Sequence, residues 1–498
     1  MKTIVTTIVI GATTVGAVAS ATFVGLGDVP GGGNQSFANA ISRNGMWIVG
    51  QGTAATGNMA YRWSPQTGML SLGLLPGGSW SRASGLNWNG SVIVGTANGG
   101  GSHAYRWTVG TGMVSLPDLD GGFVSGGAYG VSGDGNVVFG YGTGQDGSEM
   151  TRWVNGQVFS LGNLDYTSNW AQGATCSSYD GSTIYGFSGI GNTSYATVWT
   201  SQAGLAPLYH QGNDRAIYGL GTTDDGETVV GWGVRGTGWV HAYVKTGNNV
   251  AWLPGLNAND SGAAHAVSPY GDYIGGESLP DGACVWDVVH GPRSLRSILE
   301  FHRANGFGGW ELTKITGITV VGDEVRVCGN GVNPQAQDEA FYATFPVTRQ
   351  MLSGQCFLQD FSNMAGQMIL IQIREVGSTE PITTYFAYLD AVGRYSVETQ
   401  MPIGEYDVSI KGSHWLRHTE SNVTFTGTSA GANCSLINGD VDGDNEVSIG
   451  DYGRLSAAFG TSLGDALYDY EADLDGDGTV DIGDFAILST NFGSVGND

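Results

Sequence analysis

The stretch "GTTDDGETVVG" (221–231) sets Asp-Gly between a small-residue segment and a β-branched run. That arrangement predicts two short strands joined by a tight turn, because glycine supplies the positive φ such turns require. The pattern recurs as "AISRNGMWIVG" (40–50), "GLNWNGSVIVG" (85–95), "GVSGDGNVVFG" (130–140), "TCSSYDGSTIYG" (175–186), "AVSPYGDYIGG" (266–276) and, degenerately, "ITVVGDEVRVCG" (318–329). The turn glycines, from Gly45 through Gly90, Gly135, Gly181, Gly226 and Gly271 to Gly322, are spaced by 45, 45, 46, 45, 45 and 51 residues. A third segment lies between the units, as in "AYRW" (60–63 and 104–107), "ATVW" (196–199) and "ACVW" (283–286). A fourth follows it, as in "LSLG" (70–73) and "FSLG" (159–162).

Each repeat therefore reads as four strands with a tight first turn. A unit of about 45 residues and four strands has the size of one propeller blade. One such sheet cannot bury both faces alone; neighbours set around an axis can. Seven turn units predict a seven-bladed β-propeller over 22–346, with "FVGLG" (23–27) completing the last blade. A right-handed β-solenoid is the competing arrangement, but its coils are shorter and less rich in hairpins.

The chain is mainly β, and 498 residues exceed one ordinary core. The 84 glycines accompany 14 Trp and 21 Tyr, which disordered linkers do not carry. The net charge of −25 argues against nucleic acid and against an anionic membrane surface. Residues 1–21 combine Lys2, an apolar run and Ala19-Ser20-Ala21, the form of a signal peptide, so a secreted or cell-surface protein is expected. No other run approaches the length of a membrane helix, so no transmembrane segment is expected in the mature chain. The five cysteines have no CxxC spacing; Cys356 and Cys434 lie near the two ends of one domain and are candidates for a disulfide.

The repeat resembles the HAF family of extracellular repeat proteins. Its name-giving tripeptide has aromatic variants at His103-Ala104-Tyr105 and His241-Ala242-Tyr243, and its linker is matched by "LGLLPGG" (72–78) and "LGDVPGG" (26–32). The resemblance implies a secreted propeller-like protein and no catalytic set.

After Val347 the pattern changes to period-two alternation, as in "QMILIQIREV" (367–376) and "GEYDVSIKG" (404–412). Residues 350–437 are expected to be a β-sandwich of antiparallel strands, a spacer that resembles transthyretin-like or carboxypeptidase-regulatory-like modules. Trp415 is its candidate sugar-binding aromatic.

Residues 438–498 form the last expected domain, small and α-helical. "DVDGDNEVSIGD" (440–451) and "DLDGDGTVDIGD" (473–484) repeat Asp at loop positions 1, 3, 5 and 12: Asp440, Asp442, Asp444 and Asp451, then Asp473, Asp475, Asp477 and Asp484. This spacing wraps oxygen ligands around a calcium ion, one per loop and two in all. Position 7 gives a backbone carbonyl, from Glu446 or Thr479, and position 9 is Ser448 or Asp481. Position 6 needs positive φ, which suits Gly478 and is tolerated by Asn445. Exit helices are expected over 451–460 and 484–493, with Leu455, Leu488, Phe459 and Phe492 at helical spacing. A duplicated loop and exit helix resembles a type I dockerin. The resemblance implies a cohesin-like partner, bound through positions 10 and 11, here Ile449-Gly450 and Ile482-Gly483.

Enzymatic chemistry finds little support. His103 and His241 occupy equivalent repeat positions, as packing residues would. His210, Asp214 and Arg215 fit a surface loop, and no HExxH, GxSxG or P-loop is present. The expected function is that of a non-catalytic propeller scaffold tethered through its calcium module. The alternative is a glycan-binding or polysaccharide-active propeller targeted by the same module, which predicts exposed aromatics clustered on one propeller face.

Overall fold

The computed structural model describes residues 21–55, 57–165, 172–211, 214–236, 238–257, 261–361 and 363–497. The expected signal peptide, apart from Ala21, lies outside them. The chain divides into two compact units, Ala17–Val347 and one built on Thr348–Asp498.

Among the described residues the first unit contains seven sheets, each an antiparallel meander. The first runs Ser36–Ile41, Ile48–Ala54, Gly57–Ser64 and Gly68–Ser71. The seventh is made from both ends of the unit: Thr22–Gly25 pairs with Asp338–Pro346, which continues to Glu324–Val332 and Glu311–Val321. Apolar cores lie between consecutive sheets. Val49 and Ala60 of the first pack with Ile93 and Tyr105 of the second. Tyr273 and Val285 of the sixth pack with Ile315 and Phe341 of the seventh. Ile41 and Trp63 of the first pack with Cys328 and Tyr342 of the seventh, so the series closes on itself. The Trp residues of the third strands fill these seams; Trp63, Trp153 and Trp286 are buried.

The inner strand of each of the seven sheets carries a β-bulge; in the fifth sheet, which has five strands, that is the second strand, Asp214–Thr222. In the first sheet the register shifts between Ala38 and Ala40, in the second between Ala83 and Gly85, and in the sixth between Ala264 and Ala266. The bulge explains the glycine that ends each "VVG"-like run. A Cβ on Gly50 would stand against the Phe37 carbonyl oxygen, and one on Gly231 against that of Tyr218, well inside van der Waals contact. The first turns are linked in sequence. Asn44 N–H donates to Trp88 O (3.2 Å), Trp88 N–H to Gly133 O (3.0 Å), Asp134 N–H to Tyr179 O (3.1 Å), Tyr179 N–H to Asp224 O (2.8 Å) and Asp224 N–H to Pro269 O (3.0 Å).

Closure of the series rests on Phe23. It is buried, with ring centroids 5.1 Å from Trp310 and 5.5 Å from Phe341. Phe23→Ala is expected to destabilise the first unit by about 3–5 kcal/mol, the usual range for a buried aromatic. Urea unfolding of parent and variant checks this; a loss below about 1 kcal/mol would show that the N-terminal strand is dispensable.

The second unit holds two four-stranded sheets over one apolar core that includes Leu352, Ile371, Val408 and Phe425. The expectation of purely antiparallel strands is corrected here. Gln350–Leu358 pairs antiparallel with Arg394–Thr399 but parallel with Ser429–Gly431 and Cys434–Leu436. Cys356 and Cys434 are register partners in that parallel pair. Both are free thiols and form no disulfide. Trp415 is 1% exposed, so it presents no face to a sugar; its indole N–H donates to Gln359 O.

Candidate metal centre and docking surface

The second unit ends in two loop–helix halves. The first helix is Ile449–Ala458, the second Ile482–Asn491. Each begins two residues before the expected start, because position 9 of each loop is a helix N-cap. Ser448 accepts from Gly450 N–H and Asp481 from Gly483 N–H, and the position-12 carboxylates, Asp451 and Asp484, complete capping boxes. Ile449, Gly450, Ile482 and Gly483 are thus the first helical residues. Leu455 and Leu488 are buried in a common core with Val447 and Val480. Phe459 and Phe492, expected on the same face, cap the helix ends and are more than half exposed.

The loops bring together part of the predicted ligand set. Asp440, Asp442 and Asp451 place carboxylate oxygens within 4.8 Å of one another, and so do Asp473, Asp475 and Asp484. Asp440, Asp451, Asp473 and Asp484 are at most 2% exposed. Asp444 and Asp477 stay outside these clusters; each accepts a backbone N–H two residues on, at Glu446 and Thr479. Position 6 is left-handed in both loops, with φ of 75° at Asn445 and 89° at Gly478. Each loop is clasped by the segment following the other loop's helix. Val447 N–H donates to Ser494 O (2.8 Å) and Val480 N–H to Thr461 O (2.9 Å).

The donor set is all oxygen, the set a hard divalent cation takes. The protein's own cations answer it unevenly. Lys411 Nζ reaches Asp440, a contact not foreseen from spacing, while no ion pair reaches the second cluster among the described residues. Arg454 pairs instead with Asp469 (2.6 Å) and donates to Val441 O. Burial, reinforced by neighbouring carboxylates, pushes Asp442, Asp475 and Asp484 up. Buried carboxyls held close together therefore fit a bound cation.

The sign of the pH dependence follows. With these carboxyls raised above 3.8, the ion-free folded state binds more protons than the unfolded chain. Their contribution is thus most favourable below the ordinary carboxylate range and is lost as pH climbs through the raised values. In chelator residues 438–498 are expected to hold more folded structure at about pH 4 than at about pH 7, a comparison made without calcium by circular dichroism. Equal structure at the two pH values, or the reverse order, would contradict the reading.

Residues 438–492 match the dockerin type I domain family. The matched segment contains both clusters, both capping boxes and both helices. Within this dockerin segment the residues expected to meet a partner are exposed: Ile449 by 72% and Ile482 by 69%. Among solved structures, the chain resembles one from a type II cohesin–X–dockerin complex of Acetivibrio cellulolyticus (24% identity over 29% of this chain and 97% of that one, TM-score 0.24). It also resembles the β-propeller domain of the Trilobed protease from Pyrococcus furiosus (11% identity, 62% and 95%, TM-score 0.39). A third is oligogalacturonate lyase from Vibrio parahaemolyticus (9% identity, 66% and 98%, TM-score 0.44). No curated protein is significantly similar to the chain. No helix among the described residues is long and apolar enough to cross a membrane.

Proposed function

We propose that this is an exported, non-catalytic scaffold: a seven-bladed, HAF-like propeller, a β-sandwich and a dockerin that attaches both to a cohesin-like partner. The observation that carries the reading is the pair of carboxylate clusters inside the dockerin match, two of the three members buried in each, with an exposed isoleucine opening the helix after each loop. Asp440, Asp442 and Asp451 would hold one calcium ion, and Asp473, Asp475 and Asp484 the other. Asp444 and Asp477, the carbonyls of Glu446 and Thr479, and the side chains of Ser448 and Asp481 complete the candidate ligands. Bound calcium would supply the positive charge that lets these carboxylates share a loop. Ser448 and Asp481 start the helices, Asp451 and Asp484 fix the first turns, and Ile449-Gly450 and Ile482-Gly483 meet the partner.

The test is capture on the intact chain of recombinant cohesin modules, and of secreted and envelope proteins, with calcium and with chelator. The reading predicts a cohesin retained only with calcium; retention of none, or retention indifferent to chelator, counts against it. A glycan-binding or polysaccharide-active propeller is the second reading. It is favoured by Trp88, Tyr179 and Tyr270, exposed by 44%, 43% and 85% at equivalent first turns.

A further inference from the structure

The first unit encloses a cavity of about 460 Å³ along the inner strands of its sheets, within the range of small-molecule sites. The bulge of each inner strand sends one residue to its wall. Six of these are polar and no simple repeat of one another: Asn39, Ser84, Tyr129, Thr175, His265 and Thr316. The flanking positions, by contrast, are Ala or Gly apart from Cys176 and Ile315. Bulges commonly re-aim side chains toward functional sites.

Part of this collar is structural. Asn39 donates to Ala83 O (2.7 Å), Thr316 to Ala38 O (3.0 Å) and Thr175 to Gly219 O, each reaching the next inner strand. At the turn end Arg43 is also spent. It donates to Thr222 O (2.6 Å) and Val267 O (2.8 Å) and pairs with Asp224 (3.2 Å).

The second sheet is different. Arg82 Nε, Ser84 Oγ, Thr96 Oγ1 and Tyr105 Oη are all buried without a hydrogen-bond partner. Arg82 and Thr96 are register partners there, and Arg82 and Ser84 line the cavity. Thr96 and Tyr105 do not line the cavity; the charged group this sheet presents to it is Arg82, which is only partly buried. Arg82 also has no ion-pair partner among the described residues, in a chain of net charge −25. Tyr129 stands on the adjoining sheet, within the electrostatic reach of Arg82. Burial pushes its phenol up to about 12, so it remains an O–H donor at neutral pH. Trp88 and Tyr179 flank the same cavity at its turn end.

The geometry points to a binding site in this cavity for a small polyhydroxylated carboxylate. Arg82 takes the carboxylate, Tyr129 a hydroxyl, and Trp88 and Tyr179 the apolar face of the carbon skeleton. The site rests on the ring of sheets and not on the docking reading, so the two fail separately.

The experiment is calorimetric titration of the intact chain, in calcium, with glucuronate and with glucose as probes. Hydrogen exchange of 81–86 and 127–131 is followed alongside. Glucuronate is expected to bind at one site and protect both segments, with glucose weaker by about tenfold or more, the scale of a charge-assisted hydrogen bond. Arg82→Gln is expected to weaken glucuronate by about tenfold or more and to leave glucose nearly unchanged. Tyr129→Phe, which removes only a hydroxyl, is expected to weaken both probes by about fivefold. Thermal melting establishes that both variants remain folded. Absence of saturable glucuronate binding overturns the site. So does equal affinity for the two probes, or a folded Arg82→Gln chain that binds glucuronate as the parent does.

Discussion

Withdrawal of calcium is expected to unfold the dockerin segment and leave the ring of sheets standing. Three carboxylates with oxygens within 4.8 Å repel one another in each loop. At an effective dielectric of about 20 each such pair costs about 3 kcal/mol. The core opposing that repulsion is small, with Leu416, Val441, Val447, Leu455, Leu474, Val480 and Leu488 as its main members. Saturation of one site at about a hundred times its Kd returns about 2.7 kcal/mol, and two sites about twice that. Limited proteolysis of the intact chain in chelator is therefore expected to cleave within 438–498 and spare 22–346. Asp484→Asn, which removes a buried cluster member that also closes a capping box, is expected to reproduce that cleavage in calcium. A dockerin segment equally resistant with calcium and with chelator would refute the coupling of metal to folding.

The second large effect concerns the partner. The two halves present the same Ile-Gly pair at the start of each helix, and Ile449 and Ile482 are almost equally exposed. If either half can face the cohesin, each single substitution leaves one competent face. Ile449→Asp and Ile482→Asp are each expected to weaken binding by only about twofold, whereas the double variant loses about a hundredfold or more, as for removal of a buried interface anchor. Surface plasmon resonance with the captured cohesin separates the cases. Two singly substituted chains as crippled as the double one would exclude interchangeable faces.

Much of the architecture was legible because turn chemistry and β-branched runs are local properties. The Asn-Gly and Asp-Gly turns and the 45-residue spacing mark the sheets directly. The bulges were not legible, since the bulged residue is Asn39 in one sheet, Tyr129 in another and His265 in a third, and no residue type encodes it. The glycine facing each bulge was visible in the sequence, but its reason, a carbonyl from the neighbouring strand, was not. The parallel pairing of Cys356 with Cys434 joins segments far apart in the chain, and period-two alternation carries no direction. In the dockerin segment the ligand spacing was legible because Asp at alternate positions has few other readings. The helix starts were misplaced by two residues although Ser448-x-x-Asp451 and Asp481-x-x-Asp484 carry a capping-box pattern. Lys411 was missed because it arrives from a strand of the preceding sheet, a contact that only tertiary packing makes.

The most direct test of the central claim is the amount of calcium the intact chain takes up. Native mass spectrometry across a calcium titration is predicted to show two ions per chain at saturation. Asp451→Asn and Asp484→Asn are each predicted to remove one. A chain that remains ion-free at saturating calcium, or that keeps both ions in both variants, would contradict the account.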